Sequence, residues 1–233
     1  LPCANDFIIF GKRYQRPEGN PGENIAYVKS DFDDSEWRHL NLPHDWAIEG
    51  PFNIDYNGST GKLPYWGIRW YRKTLELSQD DAGKQIYLDI DGAMSYVSVW
   101  CNGQYVGGWP YGYASFRLDL TPYIKAGQKN VLAIRLDNPD DTSRWYPGSG
   151  IYRNVWLVKT SPVHVEQWGT FVRNQQVDSE IAVMEMGVNI ENHAGKDVQV
   201  KLQTSVYLQG KDGRPVGEEV AQSMAKNIAI KKD

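Results

Sequence analysis

Only two cysteines, Cys3 and Cys101, occur in the 233 residues. That is too few for a disulfide framework or a cysteine-ligated zinc site. No run approaches the roughly 18 apolar residues that cross a bilayer as a helix, so the sequence offers no membrane span. Basic runs are missing as well. Lys and Arg number 25 against 29 Asp and Glu, a net charge of -4, and the electrostatic footprint of a nucleic-acid binder is absent. Helical periodicity is nearly absent. Single turns are expected only at Asp33-Asp34-Ser35-Glu36-Trp37 and at Thr121-Pro122-Tyr123-Ile124, on capping grounds. Without alternating strands and helices, a (β/α)8 barrel of about 250 residues has no place here.

What the chain does have is period two. Ile86, Leu88 and Ile90 fall on one face, as do Val97, Val99 and Cys101, and again Leu132, Ile134 and Leu136. Strands send alternate side chains to opposite faces, so each run reads as half-buried sheet. Cys101, continuing an apolar face, is expected to be a buried free thiol. Turn residues separate the runs: Asp91-Gly92, Asn102-Gly103, Ala126-Gly127-Gln128 and Asn138-Pro139-Asp140-Asp141. Asn102-Gly103 between two strand-like runs is the strongest hairpin signal. The fold class expected is all-β, as a sandwich.

A boundary is expected at Thr160-Ser161-Pro162, giving domains 1–161 and 162–233. Eight of the nine tryptophans precede it. Simpler strands follow, expected over 163–172, 181–190, 198–208 and 219–230. These look like the opening of an immunoglobulin-like sandwich, which needs about seven strands in about 100 residues. Since 71 residues follow Pro162, this second domain is expected to be minimal or truncated.

Three segments carry more aromatic and ionisable residues than turns require. They are 41–52 (with Leu42-Pro43-His44-Asp45-Trp46), 65–73 (with Trp70-Tyr71-Arg72-Lys73) and 143–155 (with Gly148-Ser149-Gly150-Ile151-Tyr152-Arg153). All three are read here as loops. His39 and His44 have no third ligand close in sequence, so a metal reading is disfavoured.

In the order and spacing of these motifs, with Asp34-x-x-Trp37 and Asn102-Gly103 followed by Gly107, the chain resembles the glycoside hydrolase family 2 enzymes. Among them it is most similar to bacterial β-galactosidases, and the resemblance runs over nearly the whole chain. It implies a jelly-roll, galactose-binding-like sandwich, then an immunoglobulin-like domain, then a catalytic barrel. In that family the barrel carries two glutamates for retaining hydrolysis of a β-linked sugar, a chemistry that needs carboxyls about 5–5.5 Å apart. The resemblance thus implies a glycosidase whose front end, by itself, is inactive. No cofactor is expected, and any metal would belong to the barrel. The partners implied are a carbohydrate substrate (a β-galactoside), the barrel of the same protein and a homo-oligomer. Two alternatives stay open: a free-standing carbohydrate-binding module, or the front of a β-glucuronidase or β-mannosidase.

By the same resemblance, the turn before the Gly-Ile-aromatic-Arg motif reaches the substrate's terminal sugar. Several relatives place an Asp six residues before that motif's Gly, whereas this chain has Arg144. A guanidinium gives donors where a carboxylate gives acceptors; the competing reading pairs Arg144 with Asp140 or Asp141. Trp145 and Tyr146 can stack on a sugar or pack on the barrel. Asp45 can accept from sugar hydroxyls or cap its own turn through backbone amides. Asn57 lies where some relatives carry a substrate-touching Asn. Arg153 is read as a structural brace. The substrate-binding candidates are therefore Arg144, Trp145, Asp45 and Asn57. The apolar opening Leu1-Pro2-Cys3-Ala4-Asn5 resembles the remnant of an export signal. An exported or periplasmic location in a bacterium is expected, with the cytoplasm as the alternative.

Overall fold

Period-two patterning becomes two antiparallel sheets in the first of two compact units, Leu1–Lys159 and Thr160–Asp233. The computed structural model describes residues 18–58, 61–64, 66–139 and 145–232. Strands are numbered along the chain: β1 (Gly67–Glu76), β2 (Gln85–Ile90), β3 (Val97–Cys101), β4 (Gln104–Trp109), β5 (Phe116–Asp119), β6 (Lys129–Asn138) and β7 (Val155–Thr160). One sheet has the order β1-β6-β3-β4 and the other β5-β2-β7. Ile86, Leu88 and Ile90 of β2 meet Val97, Val99, Cys101, Leu132, Ile134 and Leu136 of β3 and β6 in one core. Each such side chain, once buried, contributes about 1.5–3 kcal/mol. This is the β-sandwich expected of the first domain.

Asn102 (φ 52°) and Gly103 (φ 80°) both take the left-handed region. That is what a two-residue turn demands if it is to match the twist of β3 and β4. The buried Cys101 thiol is pushed up to about 12 by burial. Asp33 to Trp37 forms a turn with Trp37 N donating to Asp34 O at 2.9 Å. Fully described 3-10 helices lie elsewhere, among them Ala26–Val28, Ala47–Glu49 and Gln79–Asp81.

The second aromatic segment corrects the loop reading. Residues 67–73 belong to β1, which pairs with β6 over its full ten residues; Tyr65 lies outside the described residues. Alternation is hidden because both faces of this edge strand are used. Tyr71 and Leu75 pack on the main core, while Trp70 packs on a second cluster of Val28, Trp100, Tyr105 and Ala133. The irregular chain at 20–34 covers that second face. Pro21 O accepts from Trp100 Nε1 at 2.7 Å, and Asp34 from Arg72 Nε at 2.8 Å. A face expected to be wet is therefore dry, and Trp100 is fully buried.

The second unit holds β8 (Val163–Val177), β9 (Ala182–Asn192), β10 (Val198–Leu202), β11 (Ser205–Gln209), β12 (Pro215–Gln222) and β13 (Lys226–Ile230). They form three antiparallel pairs, β8-β9, β10-β13 and β11-β12. Six strands replace the four expected from sequence. The runs 198–208 and 219–230 are each split, because Thr204 and Ser223 face one another and hydrogen-bond across the gap, at 2.8 and 3.0 Å. One long hairpin is thereby divided at its polar middle.

Candidate functional site at one end of the sandwich

The first and third aromatic segments are laced together. His44 N donates to Ile151 O at 2.8 Å and Trp46 N to Ser149 O at 3.1 Å. Between them Asp45 points inward and is buried. Its Oδ1 accepts the amides of Ala47 at 2.8 Å and Ser149 at 2.9 Å, and its Oδ2 accepts the Tyr146 hydroxyl. Burial, and then the Asp45 carboxylate, push the Tyr146 phenol well above its ordinary range. It stays protonated and donates. Asp45 is thus the clasp between two connections, which is the turn-capping reading of this residue extended across the fold.

A second network ties both connections to β1. The Tyr71 oxygen accepts the Ile151 amide, and burial pushes its phenol up to about 12. Tyr71 lies 2.8 Å from His44 Nδ1, and His44 Nε2 lies 3.1 Å from Glu49. The Ile151 amide, the Tyr71 phenol, the His44 imidazole and the Glu49 carboxylate therefore form one hydrogen-bonded series. Arg38 grips Glu49 through two nitrogens, at 2.6 and 2.8 Å, and with His44 holds that carboxyl down to about 2. Gly150 sits where this network is tightest. A Cβ there would meet His44 O at 2.5 Å and the Tyr71 hydroxyl at 2.7 Å, and the backbone has φ 108°.

Above the clasp lies an aromatic cluster. Trp145 is 76% exposed. The next residue, Tyr146, is gripped by the Tyr113 hydroxyl, which donates to Tyr146 O at 2.9 Å and accepts from Tyr146 N at 3.1 Å. The Tyr146 ring lies 4.9 Å from Tyr152, whose hydroxyl donates to Gly112 O at 2.9 Å. Tyr111 meets Tyr113 edge-on at 5.5 Å. The connection 110–115 is a part of the site that the sequence reading leaves out. Its signal was available, as two tyrosines around a glycine between strand runs.

Asp45 and Trp145 therefore belong to one end of the sandwich. Asn57 is half-buried in a loop of its own, where its carbonyl accepts from Lys62 N at 3.3 Å and Lys62 Nζ reaches Ile54 O at 2.8 Å. Arg144, with Asp140 and Asp141, lies outside the described residues. Arg153 is exposed, and its amide donates to Gly92 O at 3.3 Å. Among the described residues no three His, Cys, Asp or Glu side chains converge so as to hold a metal ion, and none of the helices is long and apolar enough to cross a membrane.

Comparison with known proteins bears on this site directly. The family described as glycosyl hydrolases family 2, sugar binding domain, matches residues 26–161, which include every residue of the two networks. The β-galactosidase BoGH2A of Bacteroides ovatus is 45% identical over 200 residues, covering 84% of this chain and 23% of that protein. A β-glucuronidase of Formosa agariphila is 27% identical over 222 residues, covering 85% of this chain and 22% of that protein. A glycosyl hydrolase family 2 member from Bacteroides cellulosilyticus superposes with a TM-score of 0.75 at 32% identity, covering 94% of this chain and 28% of that one. The chain spans about a quarter of the length of these relatives. It belongs to glycosyl hydrolases family 2 and carries that family's sugar binding domain.

Proposed function

We propose that this chain forms the non-catalytic rim of the substrate pocket in a retaining β-galactosidase-like hydrolase. The reactive carboxyl pair is supplied by a barrel domain of the same protein. One observation carries the reading: two aromatic connections far apart in sequence are clasped through Asp45, Ser149 and Tyr146, and the exposed Trp145 stands beside them. Rigid placement is what a rim contributes, because remote contacts speed a reaction by orienting the reacting bond. In this reading Trp145 stacks on the sugar and Arg144 donates to its hydroxyls. Asp45 acts through the loop it holds, and Asn57 is a secondary contact from its own loop. The 45% identity to a protein named as a β-galactosidase favours a β-galactoside over a glucuronide as substrate.

The test is steady-state hydrolysis of a nitrophenyl β-galactoside by the full-length protein. Arg144→Ala is expected to lower kcat/KM by the equivalent of about 1–3 kcal/mol, the scale of a charged hydrogen bond left unmade, and Trp145→Ala by about 0.5–1.5 kcal/mol, the scale of a lost aromatic contact. Rates within about twofold of the parent for both variants would remove the rim from catalysis. Titration of the isolated chain with galactose checks the competing module reading. Tight binding by the fragment alone would favour a free-standing binding domain.

A further inference from the structure

Trp168 is the one tryptophan of the second unit, and the family match ends before it, at residue 161. Its ring is 76% exposed, and its backbone takes the left-handed region at φ 56°. A ring so exposed adds little hydrophobic stabilisation, yet the chain holds it in a conformation that bulky residues avoid. Strain of this kind, kept without a packing gain, points to a use outside the fold.

The backbone around it is built to hold that conformation. The register of β8 on β9 jumps from Val165 opposite Ile190 to Thr170 opposite Val188, so residues 166–169 bulge out against Asn189 alone. Asn189 Nδ2 donates to the Glu166 carboxylate at 3.0 Å, across the bulge. At Gly169 a Cβ would meet Glu166 O at 2.8 Å and Asn189 O at 3.0 Å, so the bulge closes tightly. Bulges re-aim side chains out of the ladder, and this one presents a large ring on a braced support.

The neighbours decide what such a ring can take. Residues 166, 167, 169, 170 and 189 are Glu, Gln, Gly, Thr and Asn, with no apolar side chain among them. A protein hot spot is ringed by groups that exclude water, and these do not. An aromatic face offers area to the C–H face of a pyranose. Carboxamide, carboxylate and hydroxyl groups beside it suit the sugar's hydroxyls, which both donate and accept. The indole N–H has no acceptor among the described residues. The negative charge of Glu166 disfavours an anionic sugar.

We propose that the β8 bulge is a second carbohydrate-binding site, which takes a neutral glycan chain on Trp168. It belongs to the second unit and stands whether or not the rim reading holds.

The experiment follows the indole N–H resonances of the 233-residue chain by NMR. The titrants are β-1,4-galactotetraose, cellotetraose and, as the acidic counterpart, tetragalacturonate. The Trp168 resonance, assigned by its loss in Trp168→Phe, is expected to shift with at least one neutral tetraose at about millimolar affinity, the scale of one platform and a few hydrogen bonds. Tetragalacturonate should bind at least about 5-fold more weakly. Trp145→Ala should leave the Trp168 shift unchanged, which keeps this site apart from the rim. Trp168→Gly should keep or raise the urea midpoint, because glycine accepts the left-handed backbone. No shift with either neutral sugar, equal affinity for the acidic one, or loss of the shift in Trp145→Ala would each overturn the proposal. A lowered midpoint in Trp168→Gly would do so too, since the ring would then be packing within the fold.

Discussion

The Asp45 carboxylate accepts the amide hydrogen of Ser149 at 2.9 Å, across a sequence separation of 104 residues. The same oxygen also takes the Ala47 amide, and the other oxygen takes the Tyr146 hydroxyl. Three donors converge on one buried anion, and two of them belong to the third connection. The shape of this end of the sandwich therefore depends on one buried side chain.

Replacing that anion gives the first prediction. Asp45→Ala leaves two amides and a phenol without their acceptor in a water-poor setting. A buried donor left unmade costs about 1–3 kcal/mol, so a loss of roughly 3 kcal/mol is expected for the variant. Urea unfolding should show a lower midpoint with an unchanged slope. Asp45→Asn keeps one oxygen for the two amides and should lose less. An unmoved midpoint in the Ala variant would mean that Asp45 is not a structural clasp.

Gly150 supplies the second prediction. Gly150→Ala would set a methyl 2.5 Å from His44 O at a backbone φ of 108°. Neither obstacle can yield without parting the first connection from the third. A loss of roughly 2–4 kcal/mol is expected in thermal unfolding, in the range of severe steric and backbone strain. Gly195→Ala is the control, since Gly195 has φ 71° and open space around its Cβ. It should lose only about 1–2 kcal/mol, the cost of the left-handed backbone alone. Similar losses in the two variants would show that crowding at Gly150 is unimportant.

These two sites mark how far the sequence could be read. The sheet core was legible because Ile86, Leu88 and Ile90 alternate cleanly, and the Asn102-Gly103 turn announced its own geometry. The strand at 67–76 was hidden because Arg72 sits on the face of Trp70, and only the chain at 20–34, folded over both, makes that face dry. The Thr204–Ser223 break was equally silent, since nothing in either run alone says that two polar residues will meet. At the site, motif order gave the first and third segments together. It left Asp45 poised between sugar contact and turn cap, since a carboxylate serves both and only the three donors around it decide. Tyr111 and Tyr113 stood out as two tyrosines around a glycine, but only the fold brings Tyr113, with Tyr111 edge-on to it, against Tyr146.

Asp81 carries the third prediction, which concerns pH. It is buried at the end of the 3-10 turn Gln79–Asp81, where its carboxylate accepts the Ser78 amide at 3.2 Å. Lys159 Nζ approaches it to 2.5 Å and Lys84 Nζ to 3.0 Å. Lys159 first, and then Lys84, draw its carboxyl from 3.8 down to about 2. A carboxyl depressed on folding adds stability that is present above its unfolded value and is lost as pH falls through the folded one. The wild-type unfolding free energy should therefore decline as pH drops from about 4 to about 2, and the unfolded chain takes up the proton first. Glu49, also held down to about 2, contributes in the same window. Asp81→Asn removes the first contribution only. Urea titrations of both proteins across that window should show the variant less stable at neutral pH, with the gap narrowing steadily towards pH 2. A gap that stayed constant with pH would mean that the two lysines do not hold Asp81 ionised in the folded chain.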